Sequence, residues 1–159
     1  MIIRLDASRA EAAAALIRES FKTVADDFGL TEANCPKHTA FVTTSERLLT
    51  QIGWGWSLYG YFTGGAMIGY ASLSDSGGGA FEVHNLCVSP ARRHSGIGSS
   101  LLERCVCEAR ALGGRRVELS IIDENAALKE WYVKKGFAPL EAKRFDHLPF
   151  TVRYMAMDL

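Results

Sequence analysis

The sequence has no net charge and no long apolar run, and these two absences exclude several kinds of partner. Its 18 Lys and Arg residues balance its 18 Asp and Glu residues over 159 positions, so its overall charge attracts neither nucleic acid nor an anionic membrane. No apolar run reaches the roughly 18 residues that cross a bilayer, and residues 1–6 lack the basic start and apolar stretch of a signal peptide. We therefore predict a cytoplasmic protein that binds neither nucleic acid nor membrane.

The cysteines show no pattern of a disulfide framework or a metal site. Without a secretory signal, Cys35, Cys87, Cys105 and Cys107 are expected to be free thiols. Cys35 and His38 have the spacing of half a zinc site, but no second pair with ligand spacing follows. We therefore predict that the protein requires no metal.

Hydrophobic periodicity predicts an α/β chain of one domain. A short strand and an amphipathic helix come first, and residues 26–43 form an irregular segment before a second, short helix. Strands separated by glycine-rich turns follow, and after them strands alternate with two further helices. A chain of this length buries roughly 70% of its unfolded surface, enough for a core. A meander followed by strand–helix repeats indicates a mixed sheet.

The segment 81–100 reads as a strand that enters a basic, glycine-containing turn and then a helix. A helix start leaves backbone N–H groups without partners and carries about half a positive charge, so this turn is a candidate phosphate site. A dinucleotide fingerprint would need glycine where Leu101 stands, and a Walker loop would need a Lys-Ser/Thr pair. Both motifs are excluded, while glycines that only allow close packing on the preceding strand stay an alternative.

Two motifs stand on either side of the predicted long helix. The first is residues 86–90 followed by Arg93-His94-Ser95-Gly96-Ile97-Gly98, and the second is residues 125–132 followed by Gly136-Phe137. The first resembles the acetyl-CoA signature, Arg/Gln-x-x-Gly-x-Gly/Ala, of the GNAT superfamily of N-acetyltransferases, and the second resembles its Asn, Tyr and Gly-Phe pattern. The resemblance extends over residues 57–159 and implies one N-acetyltransferase domain, 1–159. We expect a GNAT-like α/β fold whose mixed central sheet has about six or seven strands flanked by about four helices.

The resemblance implies that acetyl-CoA is the cosubstrate and indicates where it binds. Backbone N–H groups along the turn and helix start would cradle the pyrophosphate, and they belong to Arg93, His94, Ser95, Gly96, Ile97, Gly98 and Ser99. Backbone groups of Leu86 and Val88 would pair with the pantetheine arm like an added strand. The basic residues of the turn would attract the negative charges of coenzyme A. Ser95 departs from the family's pattern, which often has a basic residue at that position.

A second group of predicted site residues lies on one face of the later helix. Asn125, Lys129 and Tyr132 are spaced i, i+4 and i+7, so they face the same side. The resemblance implies that Tyr132 protonates the departing thiolate and that Asn125 bonds the pantetheine or pyrophosphate region. Lys129 shares that face and is predicted to bind the cofactor with them. The alternative is that the helix aromatics are half-buried packing residues.

An acetyl acceptor must present a neutral amine, and this requirement predicts a general base. A lysine-like amine with a pKa near 10.4 is neutral in only about one molecule in a thousand at pH 7. Glu82 occupies the strand position at which histone-type members of the resembled family carry a glutamate base, and His84 is the alternative base. Both residues could instead be cross-strand partners of exposed basic residues.

Strand alternation before the turn predicts which of these side chains share a face. It places Glu82, His84, Leu86 and Val88 on one side of the strand and Cys87 on the other. A nucleophilic Cys87 is disfavoured because it would lie opposite Glu82, with no base beside it in sequence. We therefore predict direct attack of the amine in a ternary complex.

The sequence thus predicts an enzyme that transfers an acetyl group from acetyl-CoA to a primary amine on a small molecule. Two other roles stay open, namely acetylation of protein N-termini or lysines, and binding of acyl-CoA as a non-catalytic sensor. By resemblance, the segment 144–150 borders either the acceptor pocket or a homodimer contact. The acceptor's identity lies in the variable first helices and in this late loop.

Overall fold

The computed structural model describes all residues 1–159. Its helices and strands, in chain order, are β1 Ile2–Arg4, α1 Ala10–Asp27, α2 Thr39–Val42, α3 Ser45–Gly53, β2 Ser57–Thr63, β3 Ala66–Gly77, β4 Ala80–Val88, α4 Ile97–Ala111, β5 Arg116–Ile122, α5 Ala126–Lys134, β6 Ala138–Arg144 and β7 Thr151–Asp158. The predicted α/β fold with a mixed sheet is confirmed. The additional fifth helix is the single turn α2, within the segment predicted to be irregular.

A seven-stranded sheet runs through the molecule in the order β1-β2-β3-β4-β5-β7-β6. Its central strands β4 and β5 run parallel, and they pair only over residues 80–82 and 116–118. Beyond Glu82, β4 continues to Val88 with β3 on one side and no β5 partner on the other. The sheet therefore opens between its central strands, at the end of β4 that leads into the glycine turn.

A β-bulge at Asn85 reverses the side-chain alternation along β4. Tyr70 and Ser72 are two residues apart on β3, yet they pair with Cys87 and His84, which are three residues apart on β4. Asn85 has a φ of 52°, in the left-handed region that Asn tolerates better than most residues. The extra residue shifts every later side chain of β4 to the opposite face.

The side-chain distribution predicted for β4 is therefore wrong beyond the bulge. Leu86 and Val88 pack against the core cluster under α4, whereas Cys87 belongs to the cluster under α1. His84 faces the α1 side, where its ring stacks on a tryptophan that packs against that second cluster. Cys87 thus shares a face with Glu82 and His84, and Leu86 and Val88 lie on the other face.

Two apolar cores cover opposite faces of the sheet. The larger lies under α4 and includes the fully buried Leu101 and Val117. The smaller lies under α1 and α3 and includes the fully buried Ala14, Ile17 and Leu48. No helix of the protein combines the length and the apolar character needed to cross a membrane. The opening between β4 and β5 lies between these two helical layers.

Candidate active site

The turn between β4 and α4 presents backbone N–H groups that the protein does not use itself. None of the N–H groups of residues 93–99 donates a hydrogen bond within the chain. Two residues of this run have a left-handed backbone, His94 with φ 63° and Gly96 with φ 83°, and Gly96 is the N-cap of α4. An anion placed here would meet free donors and the positive end of the helix dipole.

The two glycines of the turn have different roles. Gly96 lies at positive φ, so any residue with a side chain would strain the backbone there. A Cβ added at Gly98 would lie 3.7 Å from Trp131 and 3.8 Å from Val88, which is ordinary contact. Gly96 therefore sets the shape of the turn, while Gly98 lies where α4 approaches α5 and β4.

A cleft of about 530 Å³, the large cleft hereafter, extends from this turn along the end of β4 to α5. Most of the predicted cofactor-binding residues line it, together with Tyr132, and these are Leu86, Val88, Arg93, His94, Gly96, Ile97, Gly98, Ser99 and Asn125. Ser95 and Lys129 are not among the lining residues. The facing wall comes from α1, through Ser20, Phe21 and Val24.

Arg93 is already engaged by the protein's own carbonyl groups. Its Nε donates to the Val88 carbonyl oxygen at 3.2 Å, and its Nη2 donates to the Ser20 carbonyl oxygen at 2.9 Å. The guanidinium therefore links the end of β4 to α1 across the base of the large cleft. The uncommitted basic side chains of the turn are those of Arg92 and His94, both of which line the cleft.

The structure does not bring two of the predicted cofactor residues to the large cleft. The Ser95 hydroxyl donates to the Arg92 carbonyl oxygen at 2.6 Å. The Lys129 ammonium lies 2.7 Å from Asp123 Oδ1, and Arg153 Nε donates to the same oxygen at 2.8 Å. These two cations hold the pKa of Asp123 down at about 2. Lys129 therefore fixes the β5–α5 connection rather than facing the cleft.

Asn125 combines a structural bond with a position on the cleft wall. Its Oδ1 accepts the Leu128 N–H at 3.2 Å and so caps the start of α5. This bond uses the side-chain carbonyl and leaves the amide Nδ2 as a donor. Asn125 is therefore placed to donate toward a ligand rather than to accept from it.

Tyr132 lies at the inner end of the large cleft. It is only 6% exposed, and its ring makes edge contacts with Trp131 at 5.0 Å and Phe137 at 5.6 Å between centroids. Burial raises the pKa of its hydroxyl well above the usual range. The hydroxyl therefore carries its proton at neutral pH, so it is a possible proton donor and cannot act as a base.

A second cavity of about 340 Å³, the small cavity hereafter, adjoins the large cleft on the α1 side of β4. Glu82 and His84 line the small cavity, together with side chains from α1, α2, β5 and the loop before β7. Leu86, Asn125 and Tyr132 line both spaces. A ligand in the large cleft and a ligand in the small cavity would therefore meet beside Tyr132.

Glu82 and His84 form a pair inside the small cavity. Glu82 Oε2 lies 3.4 Å from His84 Nε2, and the Ser74 hydroxyl lies 2.8 Å from the same nitrogen. The His84 ring stacks on Trp56 at 4.4 Å with an interplanar angle of 15°. The carboxylate would favour a charged imidazole, but burial prevails and lowers the pKa of His84 to about 4. The pair is therefore a carboxyl group beside a neutral imidazole at neutral pH.

The neighbours of Glu82 favour its role as a base over that of a cross-strand ion pair. Its partners in register are Ser74 on β3 and Glu118 on β5, and neither is basic. Burial raises the pKa of Glu82, and the negative charge of Glu118 raises it further. A carboxylate with a raised pKa holds a proton more tightly, as a general base for an amine must.

Cys87 lies on the same face as Glu82, so the positional reason for excluding it as a nucleophile is wrong. The protonation state of Cys87 nevertheless argues against a nucleophilic role. Burial raises the pKa of the Cys87 thiol to about 12, and only the thiolate is a strong nucleophile. Cys87 is therefore an inert buried thiol at neutral pH.

Several residues of the site are not predicted by the sequence patterns. The Asn85 bulge could have been suspected, because Asn is uncommon inside an apolar strand. Trp56, just before β2, stacks on the His84 ring, and His38, the N-cap of α2, lines the small cavity. Leu148 gives the late loop a place on the same cavity. No local pattern reveals such contacts, because they join segments far apart in sequence.

Comparison with known proteins identifies the family. Residues 28–137 match the model of the acetyltransferase (GNAT) family. Over 80 residues, half of this chain, the sequence is 30% identical to GCN5-related N-acetyltransferase 6, a chloroplastic protein of Arabidopsis thaliana. The matched region spans only 28% of the length of that relative.

Two solved structures have the same fold over nearly the whole chain. The PaiA N-acetyltransferase from Thermoplasma acidophilum, in complex with coenzyme A, has a TM-score of 0.80 at 22% identity, covering 100% of this chain and 98% of that one. The ribosomal-protein-S18-alanine N-acetyltransferase from Escherichia coli has a TM-score of 0.79 at 18% identity, covering 99% and 92%. With the family model matching well over half of its residues, the chain belongs to the acetyltransferase (GNAT) family.

Proposed function

We propose that the protein transfers an acetyl group from acetyl-CoA to a primary amine on a small molecule. The observation that carries this proposal is the run of free N–H groups at residues 93–99, in a cleft that Tyr132 lines and that adjoins the cavity lined by Glu82. The large cleft would hold acetyl-CoA, and the small cavity would hold the acceptor amine. Membership of the acetyltransferase (GNAT) family supports this assignment.

The large cleft offers a separate contact for each part of the cofactor. The pyrophosphate oxygens would accept hydrogen bonds from residues 93–99, with Arg92 and His94 adding attraction. The pantetheine arm would pair with the edge of β4 between Leu86 and Val88, which β5 leaves open. The likeness in fold to a protein solved with coenzyme A supports this placement.

The reaction would proceed by direct attack. Glu82 accepts a proton as the amine nitrogen bonds to the thioester carbonyl carbon, which gives a tetrahedral intermediate. Backbone N–H near Val88 stabilises the oxyanion. The C–S bond then breaks, and Tyr132 donates its proton to the leaving sulfur. The products are the N-acetyl amine and coenzyme A. The protonated state of Cys87 argues against an acetyl-cysteine intermediate.

The acceptor is proposed to be small because the small cavity holds about 340 Å³, near the lower end for ligand pockets. Acetylation of a protein N-terminus is the second candidate, and the fold of the Escherichia coli enzyme named for alanine of ribosomal protein S18 favours it. A non-catalytic sensor would need only the large cleft, so the presence of a carboxyl group in the adjoining small cavity favours catalysis. A cytoplasmic location and a homodimer stay predictions.

A panel of amines with detection of free coenzyme A tests the proposal. The panel contains small primary amines and alanine-initiated peptides, each incubated with acetyl-CoA. We expect coenzyme A release to depend on a small amine and the acetylated product to appear by mass spectrometry. Release only with peptides would favour the second candidate. Binding of acetyl-CoA without release for any acceptor would favour the sensor.

A further inference from the structure

The small cavity contains a carboxyl group and no cationic side chain. No Lys or Arg is among its lining residues. Its titratable members are Glu82, His38, His84 and Tyr132. Glu118 lies next to Glu82 across the β4–β5 pairing, and its own carboxylate is paired with Arg116 Nε at 3.1 Å. The charge of the small cavity therefore depends on whether either histidine is protonated.

Both histidines are neutral at physiological pH. His38 Nδ1 accepts the Ala40 N–H at 3.2 Å, and its ring lies between Phe21 and Phe41, at 6.2 Å and 5.7 Å from their centroids. Burial lowers the pKa of His38, and it lowers that of the stacked His84 to about 4. The small cavity thus offers a carboxyl group to a ligand but no cationic side chain.

Two cations on the neighbouring strands β6 and β7 interact with other parts of the protein. Arg153 follows the lining residue Val152, but its guanidinium donates to Asp123 Oδ1 and to the Leu140 carbonyl oxygen, both at 2.8 Å. The neighbouring strand β6 carries Lys143, whose ammonium lies 5.6 Å from the centre of the Tyr154 ring. Neither cation lines the cavity, so neither is placed to neutralise a buried anion there.

The wall away from Glu82 is apolar. Phe21 and Val24 contribute from α1, and Leu148, Phe150 and Val152 contribute from the late loop and β7. Leu148 and Phe150 pack against a third cluster of buried side chains, formed by Ala25, Leu30 and Cys35, which helps to fix their position. A ligand here would have an amine at the carboxyl group and an apolar body against this wall.

We propose that the acceptor is a primary amine with an aromatic or aliphatic body and no anionic group beside the amine. This inference rests on the proposed acetyl transfer and adds the chemical class of its substrate. An α-amino acid would bring its own carboxylate into a space that has a carboxyl group and no cation. Burying an unpaired charge is costly, and a like charge nearby adds to the cost.

Three amines with nearly the same body test the proposal. They are 2-phenylethylamine, phenylalanine and phenylalanine amide, each assayed at neutral pH with saturating acetyl-CoA. The first and third lack the carboxylate, so we expect their kcat/KM to exceed that of phenylalanine at least about tenfold. Phenylalanine acetylated as well as the other two would overturn the proposal.

A charge variant of the wall sharpens the test. Leu148→Lys places a cation on the apolar wall and should raise the kcat/KM of phenylalanine relative to 2-phenylethylamine. Leu148→Met changes the same residue without charge and should keep the order of the three amines. An unchanged ratio in folded Leu148→Lys protein would contradict the proposal, and equal melting temperatures of the two variants check folding.

The effect of acetyl-CoA on the melting temperature distinguishes failure of the proposed transfer from failure of the proposed substrate class alone. If acetyl-CoA does not raise the melting temperature of the wild-type protein, the proposed transfer fails and the substrate class fails with it. If acetyl-CoA stabilises the protein and small anionic amines are acetylated in preference, only the substrate class is wrong. If acetyl-CoA stabilises the protein and 2-phenylethylamine has a higher kcat/KM than phenylalanine, the proposed transfer and the proposed substrate class are both supported.

Discussion

The large cleft and the small cavity are neighbours, but they are built in different ways. The proposed anion site of the large cleft consists of consecutive backbone groups at residues 93–99, and Gly96 at positive φ sets their direction. The small cavity is built from side chains of α1, α2, β4, β5 and the late loop. A site built from backbone tolerates changes of side chain, whereas a site built from side chains changes its ligand with each substitution. If the small cavity holds the acceptor as proposed, we expect substrate specificity to depend on it.

The largest effect is expected from Gly96→Glu, which attacks the backbone-built site. The glutamate strains a residue at φ 83° and places a negative charge where the pyrophosphate would bind. For the wild type, acetyl-CoA at 100 times its Kd should add about 2.7 kcal/mol to the free energy of unfolding. We expect this stabilisation to vanish in the variant, as measured by thermal unfolding with and without acetyl-CoA.

Gly64→Glu is the matched control. Gly64 also lies at positive φ, 56°, with open space around it, but it stands in the β2–β3 turn away from both sites. Gly64→Glu introduces the same side chain as Gly96→Glu and a comparable backbone strain. Stabilisation by acetyl-CoA should persist in Gly64→Glu, and its loss there would mean that Gly96→Glu acts through general destabilisation.

Glu82→Gln should have the next largest effect, because it removes the proposed base from the small cavity and leaves the large cleft intact. General-base catalysis contributes about 10²- to 10⁴-fold, so we expect kcat to fall at least about 100-fold with little change in acetyl-CoA affinity. In the wild type, activity should decline as pH falls through the raised pKa of Glu82, because only the carboxylate accepts a proton.

The neighbouring Glu118 offers a control for that pH profile. Its charge raises the pKa of Glu82, so Glu118→Gln should lower that pKa and move the acidic limb of the kcat/KM profile to lower pH. If the acidic limb of the profile does not move in Glu118→Gln, the proton transfer belongs to another group. The same conclusion follows if that limb is still present in Glu82→Gln.

Tyr132→Phe should reduce turnover by about tenfold, a smaller loss because water can protonate the thiolate in its place. The ring and its contacts with Trp131 and Phe137 are kept, so acetyl-CoA affinity should hardly change. Steady-state kinetics together with the thermal shift separates the two quantities. An undiminished kcat would remove Tyr132 from the reaction and leave it a packing residue of the cleft wall.

The sequence predicts the backbone-built half well, because its signal is local. The turn, the helix that follows it and the alternation of strands and helices depend on glycine positions and apolar spacing over short stretches. The predicted fold is confirmed for this reason. Where one extra residue enters a strand, as at Asn85, alternation fails, and the side chains of Leu86 and Cys87 exchange faces.

The side-chain-built half could be predicted only in part. Helical spacing puts Lys129 on the same face as Asn125 and Tyr132, but it does not reveal that Asp123 holds its ammonium. Tertiary contacts of this kind depend on which strands become neighbours. The stacking of His84 on Trp56 joins residues far apart in the sequence, so no local pattern predicts it either.

The smallest effect is expected at Arg93, whose backbone N–H belongs to the backbone-built site and whose side chain bonds to the protein's own carbonyl groups. The sequence assigns Arg93 to the attraction of phosphate, but its guanidinium bonds to carbonyl oxygens of Val88 and Ser20. Arg93→Gln should therefore lower the free energy of unfolding by about 1 kcal/mol and change the affinity for acetyl-CoA little. Arg92→Gln should weaken the binding of acetyl-CoA and change the free energy of unfolding little. Arg92 lines the large cleft, but its side chain makes no bond like those of Arg93 to the protein's own carbonyl groups. Acetyl-CoA titrations at two salt concentrations distinguish them, since only Arg92→Gln should weaken the salt dependence. If Arg93→Gln instead loses affinity at unchanged melting temperature, the cation serves the phosphate, and the large cleft depends on side chains as the small cavity does.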